Sequence, residues 1–240
     1  GPLVEAIRKL NITVIISPLV HWIASAEKCD NRLNFGFIRW GGSVKNFVKG
    51  FRGRIKAIIE LISLYEIDVV YTNTVTCVEG ALAAKISHRP HLWHLRERVK
   101  GNCQLSTFVP VFLVPLVIYA LSNRVLVNSK YLYSAYDHFL LRNKLSVVYN
   151  GVNIEKFNID KVLASQDLKY ELNIPYNHKL VVIIGSIIPR KGQLLLVNAA
   201  SIFLSAVPNV SVLIVGDRES QSEDYLNLVK TNIIALLDEV

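Results

Sequence analysis

Short β-branched apolar blocks alternate with longer stretches of helical periodicity along this chain, and few folds tolerate that alternation. The blocks run from Ile12 to Ser17, Asp68 to Thr72, His91 to His94, Arg124 to Asn128, Leu145 to Tyr149, Leu180 to Gly185 and Val210 to Val215. They are mostly apolar on both faces, as expected of strands buried between two layers of helices. Helices are predicted from Ser43 to Tyr65, Val78 to Ser87, Phe108 to Leu121, Lys130 to Leu141, Gln193 to Ala206 and Tyr225 to Glu239. Strands that return through helices build parallel, doubly wound sheets, so the predicted class is α/β.

A break in this rhythm follows Tyr149. Asn150-Gly151 is a turn signal, and the next stretch to Asn177 is more polar and interrupted by Pro175. Residues 1–150 are therefore predicted to form one Rossmann-like domain, 151–179 a linker region and 180–240 the start of a second such domain. The chain lacks methionine, opens on Gly1-Pro2 and stops within a helical pattern at Val240. It reads as an incomplete piece, with elements expected before and after it.

Composition narrows the partners. A net charge of +8 favours nucleoside diphosphates, phospholipid surfaces or nucleic acid without choosing among them. Cys29, Cys77 and Cys103 are odd in number and form no C-x-x-C pair, which fits reduced thiols in a cytoplasmic protein. The longest apolar stretch, Phe108 to Leu121, contains Pro110 and Pro115 and falls short of the ~20 residues a membrane span needs. A buried helix is predicted there. In the Ser43–Tyr65 helix, Val44, Val48, Phe51, Ile55, Ile58, Ile59 and Ile62 form an apolar stripe beside a row of Lys45, Lys49, Arg52 and Lys56. That pattern suits either a core-packing helix with a solvated basic edge or a peripheral contact with the inner face of a membrane. Gly50 and Gly53 weaken the helix and mark where it can break.

The segment with most chemical content is the turn after Leu180 to Ile184. There Gly185-Ser186 leads to Pro189-Arg190-Lys191-Gly192, and a helix begins at Gln193. A glycine lets the backbone approach a ligand, a helix start offers free N–H groups, and two cations can neutralise a diphosphate without a metal. The same residues would also suit an ordinary βα turn with solvated cations. His88, His91 and His94 have a superficial metal spacing, but His91 and His94 fall on opposite strand faces with no thiolate or carboxylate to complete a set, so no metal site is predicted. Arg96 and Glu97 are consecutive and could converge only in a loop.

Taken in order, these segments resemble retaining glycosyltransferases of family 4. The likeness rests on Gly185 to Gln193, Ala199-Ala200 and Val210 to Asp217, on Asn150-Gly151-Val152-Asn153 with Phe157, on Val125 to Ser129, and on Asp68 to Thr74 with His91 to Glu97. It covers nearly the whole chain. It implies a GT-B-like fold of two Rossmann-like domains, the second truncated here. It also implies an enzyme, a hexosyltransferase using a nucleotide diphosphate sugar as donor substrate, with no cofactor or metal and a glycan or lipid-linked acceptor. Nucleic acid is not an expected partner. Lys191 matches the lysine on the donor diphosphate, with Gly185, Ser186, Arg190 and Gly192 forming the rest of that turn. His94 matches a strand-end histidine close to the donor sugar, so Lys191 and His94 are the implied catalytic residues. Asn73, Arg96, Glu97, Ser129 and Asn150 are expected on the acceptor side or in the cleft.

Two departures qualify the match. Ser186 stands where an arginine is common, so either Arg190 supplies the second charge or the donor binds differently. The family's N-terminal glycine-rich loop has no counterpart, Gly41-Gly42 coming too late and reading as a turn, and its E-x7-E motif is expected beyond Val240, which would leave this piece inactive alone. A sugar-nucleotide epimerase of the same architecture and a non-enzymatic basic module on a membrane surface are the alternatives.

Overall fold

The computed structural model describes residues 2–25, 47–100, 105–107, 109–155, 157, 165–217 and 223–239. Expectations for Cys29, Gly41-Gly42, Val44, Lys45, Cys103 and Phe108 fall outside them. The chain divides into two compact units, Gly1–Gly151 and Val152–Val240.

In the first unit, strands β2 (Val70–Thr72), β3 (His91–Leu95), β5 (Arg124–Val127) and β6 (Leu145–Val147) form a parallel sheet in the order β2-β3-β5-β6. Helix α2 (Phe51–Leu64) leads into β2, helices α3 (Glu79–Ile86), α4 (Val114–Leu121) and α5 (Lys130–Tyr136) make the connections, and a short helix α1 (Pro2–Arg8) opens the chain. Trp93, Leu95, Val125 and Val127 of the sheet pack against Val114 and Ile118 of α4 and Leu132 and Tyr136 of α5. Ile55 and Ile62 of α2 pack on Ala83 of α3 in a second cluster. The α/β class and the parallel sheet agree with the sequence pattern.

Several boundaries differ for identifiable reasons. Ile12 to Ser17 is not a strand: a strand exists by pairing, no described residue pairs with it, and Ile12, Ile15 and Ile16 are exposed. The first strand is instead β1 (Ile23–Ser25), antiparallel to β4 (Leu105–Thr107), and neither was anticipated. Helix α2 starts after Gly50, whose left-handed φ of 73° ends the preceding turn; Gly53 is accommodated inside the helix. From Phe51 to Ile62 the apolar stripe faces the core, whereas Val48, expected in the stripe, precedes the helix and is exposed, as are Lys49, Arg52 and Lys56. The Phe108–Leu121 stretch becomes a 3-10 turn, Val111–Leu113, followed by α4, with Pro115 in the first helical turn where no amide is needed. It is not wholly buried. Helix α5 ends at Tyr136, five residues before the predicted Leu141, because Asp137 leaves the helical region with ψ of 76°; the buried Tyr136 hydroxyl donates to the Glu97 carbonyl at 2.7 Å.

At the start of β3, His91 is fully buried. Its Nδ1–H donates to the Leu121 carbonyl at 2.9 Å, so Nε2 accepts from the Thr72 hydroxyl at 2.8 Å and the ring is neutral. Burial pulls its pKa from 6.5 down to about 4, outweighing the bond to Leu121. Between those values the unfolded chain binds a proton that the native one refuses, so stability falls as pH falls through this window. The unfolding free energy is expected to drop by about 2 kcal/mol from about pH 7.5 to about pH 5. Urea titrations at both pH values should show the drop, and His91→Gln should remove a large part of it; a slope unchanged in that variant would contradict the assignment.

The second unit contains α6 (Ser165–Glu171) within the stretch expected to link domains, then β7 (Lys179–Ile184), a 3-10 turn (Pro189–Lys191), α7 (Gln193–Ala206), β8 (Val210–Val215) and α8 (Glu223–Glu239). Strands β7 and β8 are parallel, paired from Lys179↔Val210 to Ile184↔Val215. Val197 and Ala200 of α7 and Val229 of α8 are buried, whereas Val181, Val182 and Ile184 of β7 are exposed. Among the described residues this sheet has only two strands, so the expected burial of both faces fails here.

Candidate functional site

Parallel strands place their carboxyl ends along one sheet edge, where open α/β sheets bind ligands. In the first unit that edge gathers the residues following β2, β3, β5 and β6. Arg96 joins three of the four strand ends: its Nε–H donates to Asn73 Oδ1 at 2.5 Å and its Nη1–H to Asn150 Oδ1 at 2.7 Å. Asn73 and Asn150 are exposed, so both amide groups keep donors facing solvent. The arrangement presents a fixed cation flanked by amide donors, chemistry that suits sugar hydroxyls or an anion.

Asn73 stands on a braced loop. Indole Nε1–H groups of Trp93 and Trp22 donate to the Thr74 and Val75 carbonyls, each at 2.7 Å. Glu97 Oε2 accepts from the Val75 amide at 3.3 Å and the Thr74 hydroxyl at 3.4 Å. The Glu97 carboxylate is therefore turned back onto this loop, while Arg96 points to the strand ends. Ser129 Oγ accepts from the Leu132 amide at 3.2 Å and caps α5.

His94 lies at the same edge, 5% exposed. Its Nδ1 is hydrogen-bonded to the Tyr71 hydroxyl. Its Nε2 is buried without a hydrogen-bond partner among the described residues. Burial, then the Arg96 charge, holds its pKa below 6.5 despite the opposing pull of Glu97, so the ring is neutral at pH 7. A neutral imidazole with one free nitrogen can exchange a hydrogen bond with a ligand hydroxyl. The buried Cys77 thiol has its pKa pushed up by burial, which disfavours a thiolate nucleophile there. No cluster of three His, Cys, Asp or Glu side chains able to hold a metal occurs among the described residues.

In the second unit the ends of β7 and β8 are held together beyond the sheet. The Gly185 amide donates to the Val215 carbonyl and the Ile187 amide to the Asp217 carbonyl, both at 2.9 Å. Lys191 folds back across this junction: a Cβ on Gly185 would stand 3.5 Å from its Cδ, 3.7 Å from its Cε and 3.7 Å from its Cγ. Lys191 and Arg190 are exposed, and neither has an ion-pair partner among the described residues. Gly192, with φ of 79°, ends the 3-10 turn and starts α7. Gln193 is fully buried and its Nε2–H donates to the Ser186 carbonyl at 3.0 Å, fixing that loop against the helix start.

Sequence reasoning did not anticipate that the Leu194 amide is taken by the Tyr225 hydroxyl of α8 at 3.1 Å. One of the free N–H groups expected at the start of α7 is thus already satisfied, which leaves more of any anion binding to the two cations. Tyr71, Trp22 and Gly216 were likewise missed as organisers. Hydroxyl and indole partners have no sequence signature, although Gly216 closes a strand next to Asp217.

No protein-family model matches the chain. In sequence it is similar to the capsular polysaccharide biosynthesis glycosyltransferase CapM of Staphylococcus aureus, with 24% identity over 204 residues, 78% of this chain and 52% of CapM. In fold it is similar to HepE of Anabaena in complex with UDP, with a TM-score of 0.62 and 23% identity over 77% of this chain and 49% of HepE. Against HepE with UDP and glucose the TM-score is 0.61 at 22% identity, covering 77% and 48%. The chain spans about half the length of these proteins, and it has a glycosyltransferase homologue in CapM and the α/β fold of HepE.

Proposed function

We propose that the protein transfers a hexosyl group from a nucleoside diphosphate sugar to a glycan or lipid-linked acceptor, as a retaining, metal-independent glycosyltransferase of family 4 with two Rossmann-like domains, acting on the cytoplasmic side of a membrane. The observation that carries this reading is the stem of Lys191 lying across Gly185, with Arg190 beside it and no acid paired to either among the described residues. Cleavage of a sugar–diphosphate bond places negative charge on the departing diphosphate, and preformed cations stabilise that charge without a metal. Similarity to CapM supports transfer, and the likeness to HepE, whose structures hold UDP or UDP and glucose, supports a nucleotide sugar as donor.

In this reading Gly185, Ser186, Arg190, Lys191 and Gly192 take the donor. Arg96 with Asn73 and Asn150 takes the acceptor, Ser129 and Glu97 hold the loops around them, and the free Nε2 of His94 bonds a sugar hydroxyl. No side chain is assigned as nucleophile or general base; catalysis rests on positioning and charge stabilisation. The test is calorimetric titration of the chain with UDP. Losing one charge-assisted contact in Lys191→Ala should weaken binding roughly 10- to 100-fold, with a smaller loss in Arg190→Ala. An unchanged Kd in Lys191→Ala would remove the diphosphate role.

A further inference from the structure

The parallel sheet of the first unit has a second polar site, at the edge where its strands begin and opposite the edge of Arg96. There the starts of β3, β5 and β6 meet the carboxyl ends of α3 and α4 around a small pocket of about 90 Å³. Its polar lining is Lys85, Arg89, His91, Ser122, Asn123 and Lys144, and no aspartate or glutamate lines it among the described residues.

The helix ends account for only part of this charge. Lys144 answers the end of α4 directly: its ammonium donates to the carbonyls of Tyr119 at 2.9 Å and Ser122 at 2.7 Å, 4.1 Å from the Tyr119 ring centroid. Each helix carboxyl end carries about half a negative charge, so the two offset about one of the three cations. Lys85 and Arg89 are exposed at the rim and have no ion-pair partner among the described residues. The crowding is felt at Lys144, where burial, then the Lys85 charge, holds the pKa below 10.5. The remaining groups add donors rather than acceptors. Asn123 Oδ1 accepts from the His91 amide at 2.9 Å, which leaves the side-chain amide nitrogen as a donor. The Leu121 carbonyl is taken by His91 and the Ser122 carbonyl by Lys144.

We infer that this pocket binds one soluble oxyanion of the phosphate class, held by Lys85, Arg89 and the Asn123 side-chain amide beside Lys144. Charge-assisted bonds from a guanidinium and an ammonium suit such an ion, and its charge removes the repulsion between Lys85 and Lys144. A cavity of about 90 Å³ is far below the roughly 300–1,000 Å³ of sites for larger ligands, so a nucleotide does not fit. A bound ion links the end of α3 to the start of β6 and stabilises the fold by mass action. The inference does not rest on glycosyl transfer, and the Lys191 turn lies in the other unit, so the two can fail separately.

The experiment is titration of the whole chain with millimolar sodium phosphate at constant ionic strength, followed by amide NMR shifts and by urea midpoints, with sodium chloride as reference. Saturable shifts are expected at Ser122 and Asn123, and the midpoint should rise over the same concentration range. Lys85→Gln/Arg89→Gln should weaken phosphate binding about tenfold or more and abolish the rise. In chloride its midpoint should equal or exceed that of the wild type, because both side chains are exposed and the variant relieves repulsion. Arg52→Gln/Lys56→Gln on α2 should change the affinity less than about twofold, and Lys191→Ala should leave the Ser122 and Asn123 shifts unchanged. The inference is overturned if the shifts grow without saturation, if the Lys85/Arg89 variant binds phosphate like wild type, or if saturable shifts arise only around Lys191. It is also overturned, in favour of a lipid headgroup, if that variant loses co-sedimentation with phosphatidylglycerol vesicles while soluble phosphate shifts nothing in the wild type.

Discussion

Gly216→Ala is expected to unfold the second unit, or to destabilise it by about 3 kcal/mol or more. Gly216 ends β8 with φ of 157°, and a Cβ there would stand 2.0 Å from the Gly185 carbonyl oxygen and 2.8 Å from its carbon. These are backbone atoms of the neighbouring strand end, so no rotamer change can relieve the overlap. Separation of the strands would stretch the bonds from Gly185 to Val215 and from Ile187 to Asp217, and each amide left unpaired away from water costs about 1–3 kcal/mol. It would also move the glycine over which Lys191 is folded, so UDP binding should fall with stability. Gly151→Ala is the control, since a methyl group added there would meet nothing within 4 Å and its φ lies outside the left-handed region. Urea unfolding followed by circular dichroism decides the matter: equal midpoints for Gly216→Ala and wild type would mean that the two loops are not in this close approach.

Helix α7 was legible at both ends because its boundaries are local: Gly192 takes a left-handed φ just before it and Val207 is extended just after it. β8 was equally plain, an apolar run bounded by turns. Ser129 caps α5, a role that needs only the helix that follows it. Ile12 to Ser17 has the same local credentials as a strand and fails, since pairing is a property of two segments and its own sequence carries information about one. The same limit applies to the candidate site. Asn73, Arg96 and Asn150 could each be placed at a strand end, but the sequence holds nothing that says Arg96 would bond both amides across 23 and 54 residues. Parallel topology brings those ends to one edge, and side-chain reach then selects the partners. Glu97 shows the converse: adjacent to Arg96 in sequence, it lies in the loop after β3 and turns to the Thr74–Val75 loop, where the Val75 amide and the Thr74 hydroxyl bond its carboxylate.

The second large effect concerns a pair of residues on helices α2 and α3. Glu79, at the start of α3, is completely buried, and its Oε1 lies 3.0 Å from Arg54 Nε, whose side chain is 11% exposed. Arg54 also donates to the carbonyls of Lys49 at 2.8 Å and Phe47 at 2.6 Å, and its guanidinium lies 5.8 and 5.7 Å from the ring centroids of Phe47 and Phe51. Glu79 accepts further from the amides of Val20 at 3.4 Å and Val78 at 3.3 Å, both longer and weaker. Removal of one partner leaves the other charge stranded away from water, which costs about 3–5 kcal/mol. The two single changes should differ. Arg54→Met strands a wholly buried carboxylate that has only those two weak bonds and should reach that range. Glu79→Gln leaves Arg54 partly hydrated and bonded to two carbonyls, so about 1–3 kcal/mol is expected. The double variant Arg54→Met/Glu79→Leu carries no buried charge and should be more stable than Arg54→Met alone, giving a coupling well above the few tenths of a kcal/mol of independent sites. Denaturant midpoints of the four proteins measure this cycle, and additive losses would show that the pair is not a coupled buried ion pair. Arg54 and Glu79 lie in the first unit, where α3 closes the β2–α3 loop that carries Asn73, so the UDP binding proposed for the second unit should be unaffected by Arg54→Met under conditions where the first unit remains folded. Any ligand held through Asn73, Arg96 and Asn150 should bind more weakly. Stability and binding at the proposed acceptor site are therefore expected to move together across this cycle, whereas the diphosphate contact proposed for Lys191 should stay constant.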